Sequence, residues 1–251
     1  MVTNEILETL RQSEYFAELP EEELQVLASG ANIKLLRKRE VVYLPGDVRE
    51  QVYLIAAGRV KLARVSSDGR EVTLAILETG ELVGESALVV AGKRETSAEA
   101  LTPVELLVLR ARTLQLIMER NPKVHLRITR LMARRRILVE NRLEDLAFRT
   151  VPARLARVLL LLSKTYGVER GNGFRLDVRL SQQELGNLIG STRETTNHFL
   201  NEFRRSGLIH FDHQCIDILD PAELQAVSSL TDSQGEAAPV RVRRHPATVA
   251  A

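Results

Sequence analysis

The spacing of apolar residues changes character along this chain. Residues 3–28 repeat at helical spacing, with Leu24, Val26 and Leu27 assigned to one face. Pro20-Glu21-Glu22-Glu23 puts proline and acids in a first turn, which favours a helix start. From about residue 31 to 109 the period falls to two. Val60-Lys-Leu-Ala-Arg-Val alternates apolar with polar, and Val52-Tyr-Leu-Ile is a short buried-strand run. Glycines at 46, 58, 69, 80 and 92 recur about every eleven residues, and Pro45-Gly46 and Asp68-Gly69 are turn formers. Short strands at that pace predict a β-barrel or jelly roll.

Helical spacing returns after residue 110. Residues 111–120 predict a short helix, and Asn121-Pro122 opens a long one to about Ala147. Val124, Leu131 and Leu138 form one apolar stripe, suited to the chain's own barrel. Ile128, Met132, Val139, Leu143 and Leu146 form a second, expected to meet the same helix of another subunit. Burial inside one large domain is the alternative. Arg134-Arg135-Arg136 could hold an anion, reach DNA or form a solvated face, and the solvated face is expected. Val151-Pro152 marks a hinge, because the residue before proline disfavours helix. Residues 153–166 are helical, Gly167 to Gly173 a loop, and Phe174-Arg-Leu-Asp-Val a strand. Ile209–Phe211 and Ile216–Leu219 flank Asp212-His-Gln as a hairpin, Asp220-Pro221 caps a last helix, and the chain from about Ser228 reads as a disordered tail.

The stretch Leu180–Ile209 carries the chemistry. Ser181 and Glu184 have capping-box spacing, Leu185, Leu188 and Ile189 share a face, and Gly190 ends that helix. A second helix restarts at Ser191 or Thr192, with Thr196, Phe199, Leu200 and Phe203 as its apolar stripe. Helix, glycine turn, helix is the helix-turn-helix pattern, whose second helix enters the major groove of DNA. The opposite face presents Arg193, Glu194, Asn197, His198 and Asn201. Arginine can donate twice to guanine, and a carboxylate can accept from cytosine. Ser181, Gln182 and Thr192, at the two helix starts, join Arg193, Glu194, Asn197 and His198 as expected DNA contacts. The bland alternative is a surface helical hairpin in which Glu194 merely caps Ser191.

Composition narrows the class. At 251 residues, 44% hydrophobic and 27% charged, this is an ordinary globular chain. Charge is uneven: 14 Lys+Arg against 19 Asp+Glu in residues 1–119, 9 against 3 in 120–149, and 9 against 9 in 150–227. Phosphate contacts then rest on local cations, Arg179, Arg193, Arg204 and Arg205. Cys215 is the one cysteine, in keeping with a cytoplasmic protein, and neither a membrane span nor a signal peptide is expected. No catalytic motif or metal set stands out among the five histidines, and zinc at His210 and His213 is not expected.

Leu180–Ile209, and Gly190-Ser-Thr-Arg-Glu-Thr above all, closely resembles the helix-turn-helix of the CRP/FNR superfamily of bacterial regulators. The resemblance runs over roughly residues 10–222. It implies an α+β protein. Residues 1–120 would form a cyclic-nucleotide-binding-like β-barrel, 121–150 a dimerisation helix and hinge, 151–227 a winged helix-turn-helix, and 228–251 the tail. It implies a homodimer on inverted-repeat DNA, with RNA polymerase as a partner and no enzymatic activity. Arg193 and Glu194 become base readers, and the family's third common reader, an arginine, falls on His198.

The resemblance also places an effector site at the barrel–helix seam. Its phosphate cassette corresponds to Gly84, Glu85, Ser86 and Arg94. Backbone N–H groups after Gly84 and the Arg94 fork suit an anion, and Glu85 suits a ribose hydroxyl. The alternative is that Glu85 and Arg94 merely pair. Three positions argue against cyclic AMP. Glu95 replaces the Ser or Thr after the arginine, and Val139 and Glu140 replace the residues that read adenine. A different effector, or none, is expected. Haem is not expected, nor is an iron–sulfur cluster, since one cysteine cannot supply four thiolates. Two rivals remain: a second-messenger module acting on a protein partner, and an effector-independent DNA binder.

Overall fold

The computed structural model describes residues 2–212 and 215–231. Its contacts divide the chain into two compact units that meet between Val139 and Glu140. The first unit opens with α1 (Val2–Gln12) and α2 (Glu21–Ser29). Residues 13–20, expected to be helical, form turns, with the Tyr15 N–H donating to the Ser13 hydroxyl at 3.3 Å. Pro20 is the N-cap of α2 rather than part of its first turn. Val26 lies on the exposed side, while Leu24 and Leu27 are buried. Residues 24 and 26 are about 200° apart on a helix and cannot share a face.

Eight strands follow: β1 (Asn32–Leu36), β2 (Val41–Tyr43), β3 (Gln51–Ala57), β4 (Arg59–Val65), β5 (Glu71–Glu78), β6 (Leu82–Val83), β7 (Ser97–Ala100) and β8 (Val104–Arg110). They pair antiparallel in two sheets, ordered β1-β8-β3-β6 and β2-β7-β4-β5, which is jelly-roll connectivity. Tyr53, Ile55, Leu106 and Val108 of the first sheet meet Tyr43, Val60, Leu77 and Ala98 of the second in one core. The other face of the first sheet, with Val52, Leu54, Leu107 and Leu109, packs beneath helices. Burial on both faces is why Val52–Ile55 reads as a solid apolar run. In the second sheet a bulge between Leu62 and Ala63 breaks the alternation. Lys61 is buried there, held by Glu71 at 2.9 Å and by Glu99, its cross-strand neighbour, at 3.4 Å.

After β8 come α3 (Ala111–Arg120) and α4 (Pro122–Phe148). Val124, Ile128 and Leu131 of α4 are buried in the helical core with Met132 packed against it. Ile128 is 0% exposed, so it faces the core of its own unit and not a second subunit, while Met132 is half-buried against that core. The two stripes read from the sequence lie less than about 90° apart, so one core takes both at this end. Farther along, Leu138, expected to meet the barrel, is 56% exposed, and Val139, Leu143 and Leu146 are also exposed. Arg135 departs from the solvated-face reading too: it is largely buried, while Arg134 and Arg136 are exposed.

The last turns of α4 begin the second unit. It continues with α5 (Val151–Tyr166), β9 (Gly167–Arg170), β10 (Gly173–Leu176), α6 (Gln182–Ile189), α7 (Arg193–Arg205), β11 (Ile209–Asp212), β12 (Cys215–Ile218) and α8 (Pro221–Ser228). Its sheet is ordered β11-β12-β10-β9. The expected loop from Gly167 holds strand β9, paired in register with β10. The expected hinge at Val151 is a short break before α5, which Thr150 caps. Asp145 binds Arg149 at 2.7 Å and Arg157 at 3.0 Å, and Arg149 donates to the Ser228 carbonyl at 2.6 Å. These bonds tie the end of α4 to the second unit. Ser228 is buried and Thr231 bridges to Arg149, so the expected tail is tied down at these two residues, with Ser229 and Leu230 exposed between them. The rest of the expected tail, and His213 with Gln214 at the hairpin turn, lie outside the described residues. No helix among the described residues is long and apolar enough to cross a membrane.

Candidate nucleic-acid interface and effector pocket

Both helix starts in the second unit are capped by side chains. Ser181 and Glu184 form a complete capping box on α6, and the Thr192 hydroxyl accepts from the Thr195 N–H at 3.2 Å on α7. Since Thr192 is the cap, Glu194 stands one position too early to close a box and is left outside. Gly190 ends α6 in the left-handed region, at φ 63. Leu185, Leu188 and Ile189 of α6 and Thr196, Leu200 and Phe203 of α7 are buried, with Phe199 half-buried. A Cβ at Gly186 would lie 3.0 Å from the Ser191 carbonyl and 3.1 Å from Thr196 Oγ1, so the helices cross closely at that glycine. Arg142 Nη2 contacts the Asn187 carbonyl in the last turn of α6 at 3.4 Å. Burial, and then the nearby Arg154, push the Arg142 guanidinium below its ordinary pKa, against the pull of Asp145.

This frame leaves Thr192, Arg193, Glu194 and His198 exposed on the outer side of α7. Arg193 and Glu194 have no hydrogen-bond or ion-pair partner among the described residues, so both are available to a ligand. Asn197 is half-buried, and its Oδ1 accepts from Gln182 Nε2 at 2.9 Å and from Asn201 Nδ2 at 3.0 Å. The Ser181 hydroxyl is committed to its capping box. Arg204 lies 5.0 Å from the ring of Phe211, joining α7 to the hairpin.

The second candidate site lies in the jelly roll. Gly84 takes φ 78 and leads into the 3₁₀ turn Glu85–Leu88. A Cβ at Gly84 would lie 2.5 Å from Arg94 Nη1, so the glycine makes room for that guanidinium. Arg94 is 4% exposed, donates from Nη2 to the Gln51 carbonyl at 2.5 Å, and lies 4.0 Å from the ring centre of Tyr43. No carboxylate among the described residues is within ion-pair distance of it. Glu85 pairs instead with Arg135, which also donates to the Leu82 carbonyl, while Arg135 Nε reaches no acceptor. Burial pushes the Tyr43 hydroxyl up, and Thr96 and Arg94 pull against it.

The structure brings Gly84, Glu85 and Arg94 together and adds Arg135. The alternative in which Glu85 merely pairs with Arg94 is not found, because Arg135 takes the carboxylate. Ser86 is exposed. Glu95, expected to set a negative charge beside a bound phosphate, turns outward to Arg64 at 3.0 Å and Arg49 at 3.7 Å. Val139 and Glu140 are exposed on α4. Sequence reasoning missed Tyr43, Gly186 and Arg142, and favoured a solvated face over an anion-holding role for Arg135. Arg135, four positions after Leu131 and three before Leu138, lies on the face of the first apolar stripe, and Gly186 sits inside a helix; both were visible anomalies. Arg94 and Arg135, both largely buried, outnumber Glu85, the one carboxylate paired there, so the site carries net positive charge suited to an anion. Among the described residues, no group of three or more His, Cys, Asp or Glu could hold a metal ion.

Comparison with known proteins bears on both sites. Residues 33–121 match the cyclic nucleotide-binding domain, and residues 153–227 match the Crp-like helix-turn-helix domain. The chain is 32% identical over 203 residues to the global nitrogen regulator of Nostoc sp., covering 79% of this chain and 91% of the relative. It is 32% identical over 183 residues to the CRP-like cAMP-activated global transcriptional regulator of Mycobacterium tuberculosis, covering 73% and 82%. Among solved structures it is similar to the c-di-GMP responsive global regulator CLP of Xanthomonas campestris. That match has a TM-score of 0.73 at 25% identity, covering 80% of this chain and 100% of the other.

Proposed function

The chain belongs to the CRP/FNR superfamily and is a DNA-binding transcription regulator; from that premise we propose that α7 reads the major groove through Arg193 and Glu194, with His198 and Asn197 one turn on. The observation that carries this is the first turn of α7: two charged side chains exposed, unpartnered, and rigidly held by the Thr192 cap beneath them. Thr192 and Ser181 lie at the helix starts, where phosphates are met, while the Gln182 side chain is turned to Asn197. We further propose a homodimer joined by the exposed apolar part of α4, acting on RNA polymerase in the cytoplasm. Arg193→Ala is expected to weaken binding to an operator chosen from random duplexes by about 1–3 kcal/mol and to relax preference at one base pair. Unchanged preference in anisotropy titrations contradicts the reading.

The pocket supports a second proposal: that the jelly roll takes a small anionic effector at Gly84, Arg94 and Arg135. The donors without acidic partners favour it. Val139 and Glu140 lack the hydroxyls that would suit an adenine edge, which counts against cyclic AMP. The helix α4 runs through both units and is the element such a ligand would bias. Calorimetric titration with cyclic AMP is expected to show no micromolar site. Micromolar binding that tightens operator affinity would assign cyclic AMP as the effector.

A further inference from the structure

One side-chain amide on α7 has its orientation dictated by the fold. Asn201 Nδ2 donates to the Asn197 backbone carbonyl at 2.8 Å and to Asn197 Oδ1 at 3.0 Å. Gln182, the first residue of α6, donates from Nε2 to the same Oδ1 at 2.9 Å. An amide can be turned end for end, so its orientation follows from its neighbours. Here the chain of neighbours starts at the backbone. A carbonyl oxygen only accepts, so the Asn201 group facing it is the NH2. That NH2 also faces Asn197, which therefore turns its oxygen inward. Gln182 then presents its own NH2 to that oxygen. Reversing Asn197 would set its NH2 against two others.

An amide oxygen has two lone pairs, and both are taken at Asn197. Its Nδ2 donates to no group among the described residues. Asparagine that reads adenine must accept from N6 while donating to N7. Asn197 has no acceptor left for that. Guanine offers O6 with N7, and thymine offers O4, whereas adenine and cytosine place an amine there.

We propose that Gln182 and Asn201 clamp Asn197 as a donor-only reader, so that it cannot make the two-bond contact to adenine and favours a base with a keto oxygen, guanine or thymine. The proposal rests on α7 reading the major groove. Gln182 is then a positioning residue and acts on specificity without touching a base.

The test uses the full chain and an operator selected by it from random duplexes, with every base pair substituted in turn. In Asn197→Ala, discrimination is expected to flatten about tenfold at one step, a step where the wild type prefers guanine or thymine. Gln182→Ala is expected to loosen that same step and no other. In Gln182→Glu a carboxylate faces the Asn197 oxygen that Asn201 still holds inward, so the repulsion unsettles the amide and the guanine or thymine preference at that step is expected to weaken. A merely structural role for Gln182 would weaken all steps together. An Asn197-dependent preference for adenine or cytosine in the wild type overturns the clamp, as does a Gln182→Glu variant that leaves the step unchanged. If Asn197→Ala changes nothing while Arg193→Ala flattens its own step, Asn197 is not a reader. Flat responses to both remove α7 from the groove and the proposal with it.

Discussion

Glu81 is a carboxylate held against its preference. Burial raises its pKa above the ordinary 4.5, partly offset by the Glu78 N–H and by Arg135, and reinforced by Glu78 and Glu14. A folded-state pKa above the unfolded one means that ionisation opposes folding. The stability Glu81 contributes is therefore present below pH 4.5 and lost as pH rises through its folded value. Gln at this position can still accept from the Glu78 N–H, which Glu81 Oε2 does at 2.8 Å. Glu81→Gln should melt at a higher temperature than the wild type at pH 7, and the gap should close as pH falls below 4.5. A gap independent of pH would mean that packing, not charge, sets the difference. At the same scale, the pairing of Glu85 with Arg135 rather than Arg94 leaves the deepest guanidinium of the jelly roll for an anion.

Among the elements, the crossing of α6 and α7 carries the interface. Gly190 at φ 63 turns the chain, and a Cβ there would meet Leu146 Cδ2 at 2.7 Å. Gly190→Ala should cost about 1–2 kcal/mol from the left-handed backbone alone. Hydrogen exchange should show α6 and α7 amides opening about 5–30-fold more often, with jelly-roll amides unchanged. Equal loss of protection in both units would contradict it. The helix-turn-helix was legible because caps, glycine and stripe are local signals. The jelly roll was legible as a class, since alternation and glycine turns mark strands, but the bulge at Leu62 and the strand β9 were not. Bulges and short edge strands are settled by pairing partners far along the chain. The α4 stripes failed for a related reason. Periodicity says which side is apolar, and it does not say that the unit's own core already takes Ile128 and part of Met132.

In the whole molecule, the two units carry the two proposed sites separately: the anion site before Val139 and the reading helix after Glu140. The exposed apolar residues of α4, with Leu143 at 61% exposure, are the surface that the proposed second copy of the chain would cover. Leu143→Glu should shift the chain toward monomer in sedimentation runs and weaken binding to paired half-sites far more than to single ones. Paired recognition helices meet half-sites about one helical turn, 34 Å, apart. The most direct measurement is selection of bound sequences from random duplex DNA by the full chain and by its Arg193→Ala variant. The wild type should enrich an inverted repeat with half-sites one turn apart, and the variant should lose one base preference in each half. An unstructured pool, or the same motif from both proteins, would contradict the assignment of α7 as the reader of DNA.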